Sequence, residues 1–165
     1  MYIAPGKDLS EIYTIKETAS GKGVFALKDI PEQTILMRAN GEPVSFRKTK
    51  KLGDRESYSL QVDADQYILT HPPFCYLNHS CDPNAALDSD LFLYTIKPVK
   101  AGEEIRWDYS TSMMEKSWTM ECHCGSPACR GVVRDFDLLP GWLQEKYLAM
   151  GIVMPFIVRK LRKAV

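Results

Sequence analysis

Short apolar runs separated by Gly, Pro, Asn and Asp fill the first two-thirds of the chain. Tyr13-Thr14-Ile15, Val24-Phe25-Ala26-Leu27, Ile35-Leu36-Met37 and Tyr67-Ile68-Leu69 have the length and the β-branched and aromatic character of strands. Tyr58-Ser59-Leu60-Gln61-Val62-Asp63 alternates apolar and polar, the pattern of a strand with one face covered. Leu91-Phe92-Leu93-Tyr94-Thr95-Ile96 predicts a more fully buried strand. Lys97-Pro98 and Lys100-Ala101-Gly102 predict the turn that leads into Ile105-Arg106-Trp107. The basic stretch Arg47-Lys48-Thr49-Lys50-Lys51 predicts an exposed loop. Helical spacing comes late. Leu139, Leu143, Tyr147 and Leu148 fall on one face of a helix that Pro140 can open and Gly151 can close. Pro155 then separates that helix from a basic terminus with Arg159, Lys160, Arg162 and Lys163. The expected architecture is mostly β with a C-terminal helix.

Composition narrows the classes of function without choosing among them. With 165 residues, 45% hydrophobic and 25% charged, the chain holds enough apolar material for one globular domain. Its formal net charge is zero, so no overall basic field draws it to nucleic acid or to a membrane surface. No run approaches the roughly 20 apolar residues of a membrane span. The stretch Met1-Tyr2-Ile3-Ala4-Pro5-Gly6-Lys7 has no apolar run behind a basic start, so no secretory signal is expected. The expectation is a soluble intracellular protein, nuclear or cytoplasmic, with no membrane partner and no direct sequence-specific nucleic-acid binding. Five cysteines, three of them between positions 122 and 129, speak against a secreted disulfide framework and for metal ligation in a reducing compartment.

Cys122-x-Cys124-x4-Cys129 places three thiols in a tight loop with Gly125 and Pro127. Zinc takes four tetrahedral ligands, with sulfur at about 2.3 Å. Three are local, and Cys81, Cys75, His79 and His123 are the candidates for a fourth. Gly21-Lys22-Gly23 lets backbone approach a ligand closely. It lacks the third glycine of a dinucleotide fingerprint and the Gly-Lys-Ser/Thr of a phosphate loop. Asn78-His79-Ser80-Cys81 runs into Asp82-Pro83-Asn84, a turn that ends a polar loop. Gly102-Glu103-Glu104-Ile105-Arg106-Trp107-Asp108-Tyr109 brings a strand to an aromatic end.

Taken in order, these stretches and the cluster ending Cys129-Arg130-Gly131 resemble the motifs of SET-domain protein-lysine N-methyltransferases with a zinc-binding post-SET segment. The resemblance covers about residues 11 to 131. It implies a fold of small curved β-sheets with a threaded C-terminal segment and a zinc-bound post-SET loop. It also implies a division into a SET domain (1–117), a post-SET zinc segment (118–133) and a C-terminal helical tail (134–165). The cosubstrate it implies is S-adenosyl-L-methionine, contacted by the backbone of Lys22, Gly23 and Val24, by Asn78 and by the backbone of His79. Tyr109 matches the family's catalytic tyrosine, and Tyr58 and Trp107 are expected to line the lysine channel. Cys81 would join Cys122, Cys124 and Cys129 around a structural Zn2+, leaving Cys75 as a small buried thiol. Trp107 departs from the Phe or Tyr usual two residues before the catalytic tyrosine, a position linked to how many methyl groups are added. The implied partner is a protein or peptide presenting a lysine, with a histone tail among the candidates.

The implied chemistry makes a physical demand. A lysine of pKa near 10.4 is almost wholly protonated at pH 7.4, and freeing its lone pair costs about 4 kcal/mol. A narrow apolar channel and a nearby sulfonium charge both lower that cost. The competing class is a catalytically silent SET-like binding module stabilised by zinc; the intact set of matched positions favours turnover. A zinc-bearing nucleic-acid binder has only the basic runs at 47–51 and 159–163 behind it.

Overall fold

The computed structural model describes residues 11–19 and 21–163. The Met1–Lys7 stretch, on which the expectation about a secretory signal rests, lies outside the described residues. The chain begins with an antiparallel hairpin of β1 (Tyr13–Thr18) and β2 (Gly21–Ala26), in register from Tyr13↔Ala26 to Thr18↔Gly21. β3 (Ile35–Arg38) and β4 (Gly41–Val44) then enter separate sheets. β5 (Ser59–Asp63) and β6 (Gln66–Thr70) complete a sheet of order β4-β6-β5. Pro43 has no N–H to donate, and β4 is an edge strand of this sheet, where that lack is tolerated.

β7 (Asn78–His79) is two residues long, and β8 (Ala85–Leu87) and β9 (Phe92–Thr95) form the sheet β3-β9-β8. β9 does not have the uniform burial expected of 91–96: Leu93 and Thr95 are enclosed while Phe92 and Tyr94 are half-buried. Its sheet has one face on the core and one partly covered, so the side chains alternate. β10 (Arg106–Trp107) lies parallel to β7, with Arg106 opposite Asn78 and Trp107 opposite His79. That short pairing brings two chemistry-bearing segments together from distant parts of the chain. β11 (Met120–Glu121) and β12 (Val132–Val133) close the loop that carries the cysteine cluster.

The basic stretch 47–51 is not a plain loop. α1 (Phe46–Thr49) forms one turn there, buries Thr49 and leaves the cations in water. The late helix is present as α2 (Gly141–Met150), with Pro140 as its N-cap rather than its first helical residue. Gly151, at φ 69°, ends it in the left-handed conformation that glycine adopts without strain. Leu143 and Tyr147 face the core with Leu139, whereas Leu148 points outward. Pro155 starts a further helix, α3 (Pro155–Lys163), since its missing N–H would have no helical partner at that position. Phe156 and Ile157 bury one side of α3, and the four basic residues lie towards its end.

The core is one cluster. Leu36, Leu93, Val99 and Ile105 from the strands pack with Phe136, Leu143, Tyr147, Phe156 and Ile157 from the C-terminal segment. A smaller cluster of Cys81, Met113, Cys122 and Val133 sits beneath the cysteine loop. The architecture is mostly small β-sheets with few helices, as expected. Among the described residues, no helix is long and apolar enough to cross a membrane.

Candidate functional site

β7 and β10 form the floor of the site. Ser80 N donates to Trp107 O at 3.0 Å and Asn84 N to Arg106 O at 3.1 Å, so the two segments run together beyond the paired residues. Two cavities open above this floor. The larger, about 400 Å³, is lined by Gly21, Lys22, Tyr76, Asn78, His79, Glu104 and Arg106, with Met120 to Cys124 forming one wall. Its size is that of a pocket for a small organic ligand. The second is a narrow channel of about 50 Å³ between Tyr58, Phe74, Leu77, Trp107, Tyr109 and Trp118. Ser57, Tyr58, Cys75 and Tyr109 belong to both, so the cavities meet at these residues.

In the larger cavity the Asn78 side chain is fixed by two acceptors. Its Nδ2 donates to Glu104 Oε1 at 2.7 Å and to Lys22 O at 3.1 Å. The amide nitrogen is therefore spent, and Oδ1 is left to accept from a ligand. Asn84 holds the opposite side of β10: its Nδ2 donates to Glu104 O at 2.8 Å, and its Oδ1 accepts Arg106 N at 2.9 Å. A Cβ at Gly23 would lie 2.6 Å from Glu104 Oε1, so glycine there leaves space for the carboxylate. Of the five residues expected at the cofactor, Lys22, Asn78 and His79 line the cavity. Gly23 and Val24 stand behind its wall, where Val24 is fully buried and its carbonyl accepts Ile105 N.

At the neck, the Tyr109 hydroxyl donates to Leu77 O at 2.6 Å. Burial, with Glu104 nearby, pushes its pKa well above the usual tyrosine value, so the proton stays on. With its one donor committed, its lone pairs are free to face the cavities. Trp107 lies 5.2 Å from Tyr109 and 5.9 Å from Phe74, ring to ring, and Tyr58 meets Tyr76 edge-on at 6.4 Å. Both expected channel residues thus stand in the narrow cavity. Cys75 is only half-buried and lines the neck instead of the core. Phe74, its neighbour in a single 3-10 turn, takes the core position.

The His79 ring is enclosed. Nδ1 accepts Tyr109 N–H at 3.2 Å, and Nε2 lies 3.3 Å from Cys81 Sγ. Burial pushes its pKa down, Asp108 pulls it back, and Arg130 and Arg106 push it down again, to about 4. The ring is neutral, with its proton on Nε2 and directed at the sulfur.

Cys81, Cys122, Cys124 and Cys129 bring their four sulfurs within 4.8 Å of one another. Cys81 and Cys129 each lie 3.7 Å from Cys122, sulfur to sulfur. Tetrahedral zinc with 2.3 Å bonds requires about 3.8 Å between sulfurs. Arg130 N donates to Cys81 Sγ at 3.3 Å. Burial raises the Cys124 pKa, but backbone groups of Cys81 and Ser126 and the adjoining Cys122 and Cys129 thiols bring it down to about 6. The set fits a closed four-sulfur zinc site. His123 points into solvent beside Glu121, and Cys75 lies outside the cluster.

Several residues of this site carry no signal of their own in the sequence. Glu104, Asp108 and Arg130 stand within the recognised motifs without an assigned role, and Leu77 and Trp118 belong to no motif. Only Cys129-Arg130-Gly131 offers a hint, a cation directly after a cysteine of the cluster.

The sequence model of the SET domain family matches residues 21–110. The chain is 26% identical over 137 residues to histone-lysine N-methyltransferase trr of Drosophila melanogaster, covering 73% of this chain and 6% of the fly protein. It is 29% identical over 129 residues to histone-lysine N-methyltransferase ash1 of the same organism, covering 68% and 6%. It is 27% identical over 142 residues to histone-lysine N-methyltransferase SETD2 of Homo sapiens, covering 76% and 6%. The chain thus spans only a small part of each of these relatives.

Proposed function

Because the chain belongs to the SET domain family, we propose that it transfers a methyl group from S-adenosyl-L-methionine to the ε-amine of a lysine on a protein or peptide. The observation that carries this reading is the junction of a roomy polar cavity and a narrow aromatic channel at Tyr58, Cys75 and Tyr109. Donor and acceptor can enter from different sides and meet at one hydroxyl. The relatives' names make a histone tail the first substrate to try. We carry over the division into 1–117, 118–133 and 134–165 as part of the same reading.

The cosubstrate, when bound, supplies an electrophilic methyl on a sulfonium. Asn78 Oδ1 and the Glu104 carboxylate offer acceptors and negative charge to its ammonium group. Lys22 and His79 contribute backbone to the same wall, and Gly23 and Val24 support it from behind. Tyr109 directs its lone pairs at the transfer path while Leu77 O holds its proton. Alignment of two reactants can supply roughly 7–11 kcal/mol of a barrier, so holding this geometry is the chief task. Tyr58, Trp107 and Trp118 exclude water from the channel and so favour the neutral amine. A zinc ion at the four cysteines would pin Met120–Cys124 as the outer wall of the larger cavity; its closed ligand set is a structural one.

The test is labelling from tritiated cofactor, with histones and cell lysate as acceptors, wild type beside Tyr109→Phe. Wild type should label a protein band, and the variant should be slower by about 100-fold, the loss expected from roughly 1 Å of misplacement. Equal labelling by the two proteins removes Tyr109 from the mechanism. Cofactor binding by folded, zinc-loaded wild type without any labelling would favour the silent binding module.

A further inference from the structure

Asp108 directly precedes Tyr109, and its side chain is wholly enclosed. A carboxylate offers about four acceptor sites, and here four donors fill them. Oδ1 takes Arg130 Nη2 at 2.8 Å and Ser110 N at 3.1 Å. Oδ2 takes Arg130 Nη1 at 2.7 Å and the Tyr147 hydroxyl at 3.0 Å. Arg130 follows the metal ligand Cys129, and Tyr147 projects from α2. Two further bonds hold the 3-10 turn Tyr109–Ser112 and its C-cap Met113. Met154 N donates to Thr111 O at 2.9 Å, and Phe136 N donates to Met113 O at 2.9 Å. Arg130 Nη2 also reaches Ser110 Oγ at 3.2 Å.

We propose that Asp108, Arg130 and Tyr147 form a clasp through which the post-zinc segment and helix α2 position Tyr109 for methyl transfer. The proposal rests on the reading of Tyr109 given above. A buried ion pair is weak evidence for stability, because desolvation offsets most of its attraction and apolar side chains pack as well. What a saturated carboxylate does supply is direction: a bidentate fork and a phenol hydroxyl admit one rotamer of Asp108. The next residue then has one place for its ring, with its N–H on His79 and its hydroxyl on Leu77 O. His79 Nδ1 lies 3.5 Å from Asp108 Oδ1, but both are acceptors already in use, so the contact adds no bond. The C-terminal segment is thereby part of the transfer machinery, although none of its residues lines either cavity.

Tyr147→Phe removes one hydroxyl and little volume, and Arg130→Lys keeps the charge and loses the fork. Steady-state kinetics on a lysine peptide should give a kcat lowered about 3- to 10-fold for Tyr147→Phe and more for Arg130→Lys, within the roughly 100-fold cost of a misplaced reactant. The peptide KM and the Kd for S-adenosylhomocysteine should stay within about twofold, since neither substituted residue lines a cavity. Amide hydrogen exchange should quicken in the 107–113 peptide and not in β2 or β9. A wild-type kcat in Tyr147→Phe, or exchange unchanged at 107–113, overturns the clasp. A loss expressed wholly in KM or in cofactor affinity overturns it too. Zinc content is measured in both variants; if Arg130→Lys loses the metal, Tyr147→Phe, away from the metal ligands, decides the matter alone. Inactive wild type with Tyr147→Phe still quickening exchange at 107–113 would count against lysine methylation and not against the clasp.

Discussion

Stripping zinc should open the larger cavity while leaving the main fold standing. Besides the metal site, the cysteine loop, residues 118–131, is anchored at Cys124 O by Arg106 and at its end by the Arg130 fork on Asp108. β11 and β12 pair over two residues each, and the cluster beneath the loop contains only four fully buried residues. A structural zinc contributes about 10–16 kcal/mol to the segment it closes, more than these few contacts supply. Without it the balance tips and the loop detaches. The core cluster from Leu36 to Ile157 contains none of the four cysteines, so the sheets and α2 should persist. The cavity loses the wall formed by Met120–Cys124. A wall that gives the ligand two hydrogen bonds and some apolar contact contributes about 1.5–3 kcal/mol, so its loss should weaken S-adenosylhomocysteine affinity roughly 10- to 100-fold. The assay is calorimetric titration before and after chelation, with zinc measured in each sample and far-ultraviolet circular dichroism recorded alongside. Unchanged affinity after verified loss of zinc refutes the reasoning. So would collapse of the whole spectrum, because the core would then depend on the metal.

Three more expectations follow from the same geometry. Glu104→Gln keeps an acceptor for Asn78 but removes the carboxylate charge beside it, leaving Glu121 in the larger cavity, so the Kd for S-adenosylhomocysteine should rise about 3- to 30-fold with little change in melting temperature, as read by calorimetry; an unaltered Kd would show that the Glu104 charge is irrelevant to binding. Trp107→Phe should widen the channel between Phe74 and Tyr109 and raise the mean number of methyl groups per modified lysine, as counted by mass spectrometry of a peptide product. On pH, the raised pKa of Tyr109 keeps its hydroxyl neutral through the working range, so the rise of rate with pH belongs to deprotonation of the substrate lysine. That alkaline rise should survive, at lower amplitude, in Tyr109→Phe, and its disappearance would assign it to the tyrosine.

The parts of this molecule that could be read in advance are those whose signal is local. Alternation at 58–63 defines β5 because a strand of five residues shows its period, and the short apolar run at 35–37 marks β3 by its length. β7, β10, β11 and β12 have two residues each and show none, yet the first pair builds the floor of the site. α3 was hidden because Pro155 serves equally as the end of one element and the first residue of another.

The cysteines divide in the same way. Three announce themselves by spacing, whereas spacing alone leaves Cys81, 41 residues before Cys122, level with Cys75, His79 and His123; the family resemblance singles it out, and the fold gathers the four sulfurs. Asp108 is the extreme case. A carboxylate between Trp107 and Tyr109 gives no hint that its partners lie 22 and 39 residues further on. Reactive groups must be particular residue types at particular spacings, so they leave a motif. The groups that aim them need only arrive from some other element with a donor at the right height, and packing decides which element that is. In this chain the aiming groups come from Arg130 and α2, beyond the 21–110 stretch that carries the family match. A fragment cut after residue 110 would therefore retain Tyr109, Leu77, His79 and Asp108 and lose the Arg130 and Tyr147 donors that fix Asp108.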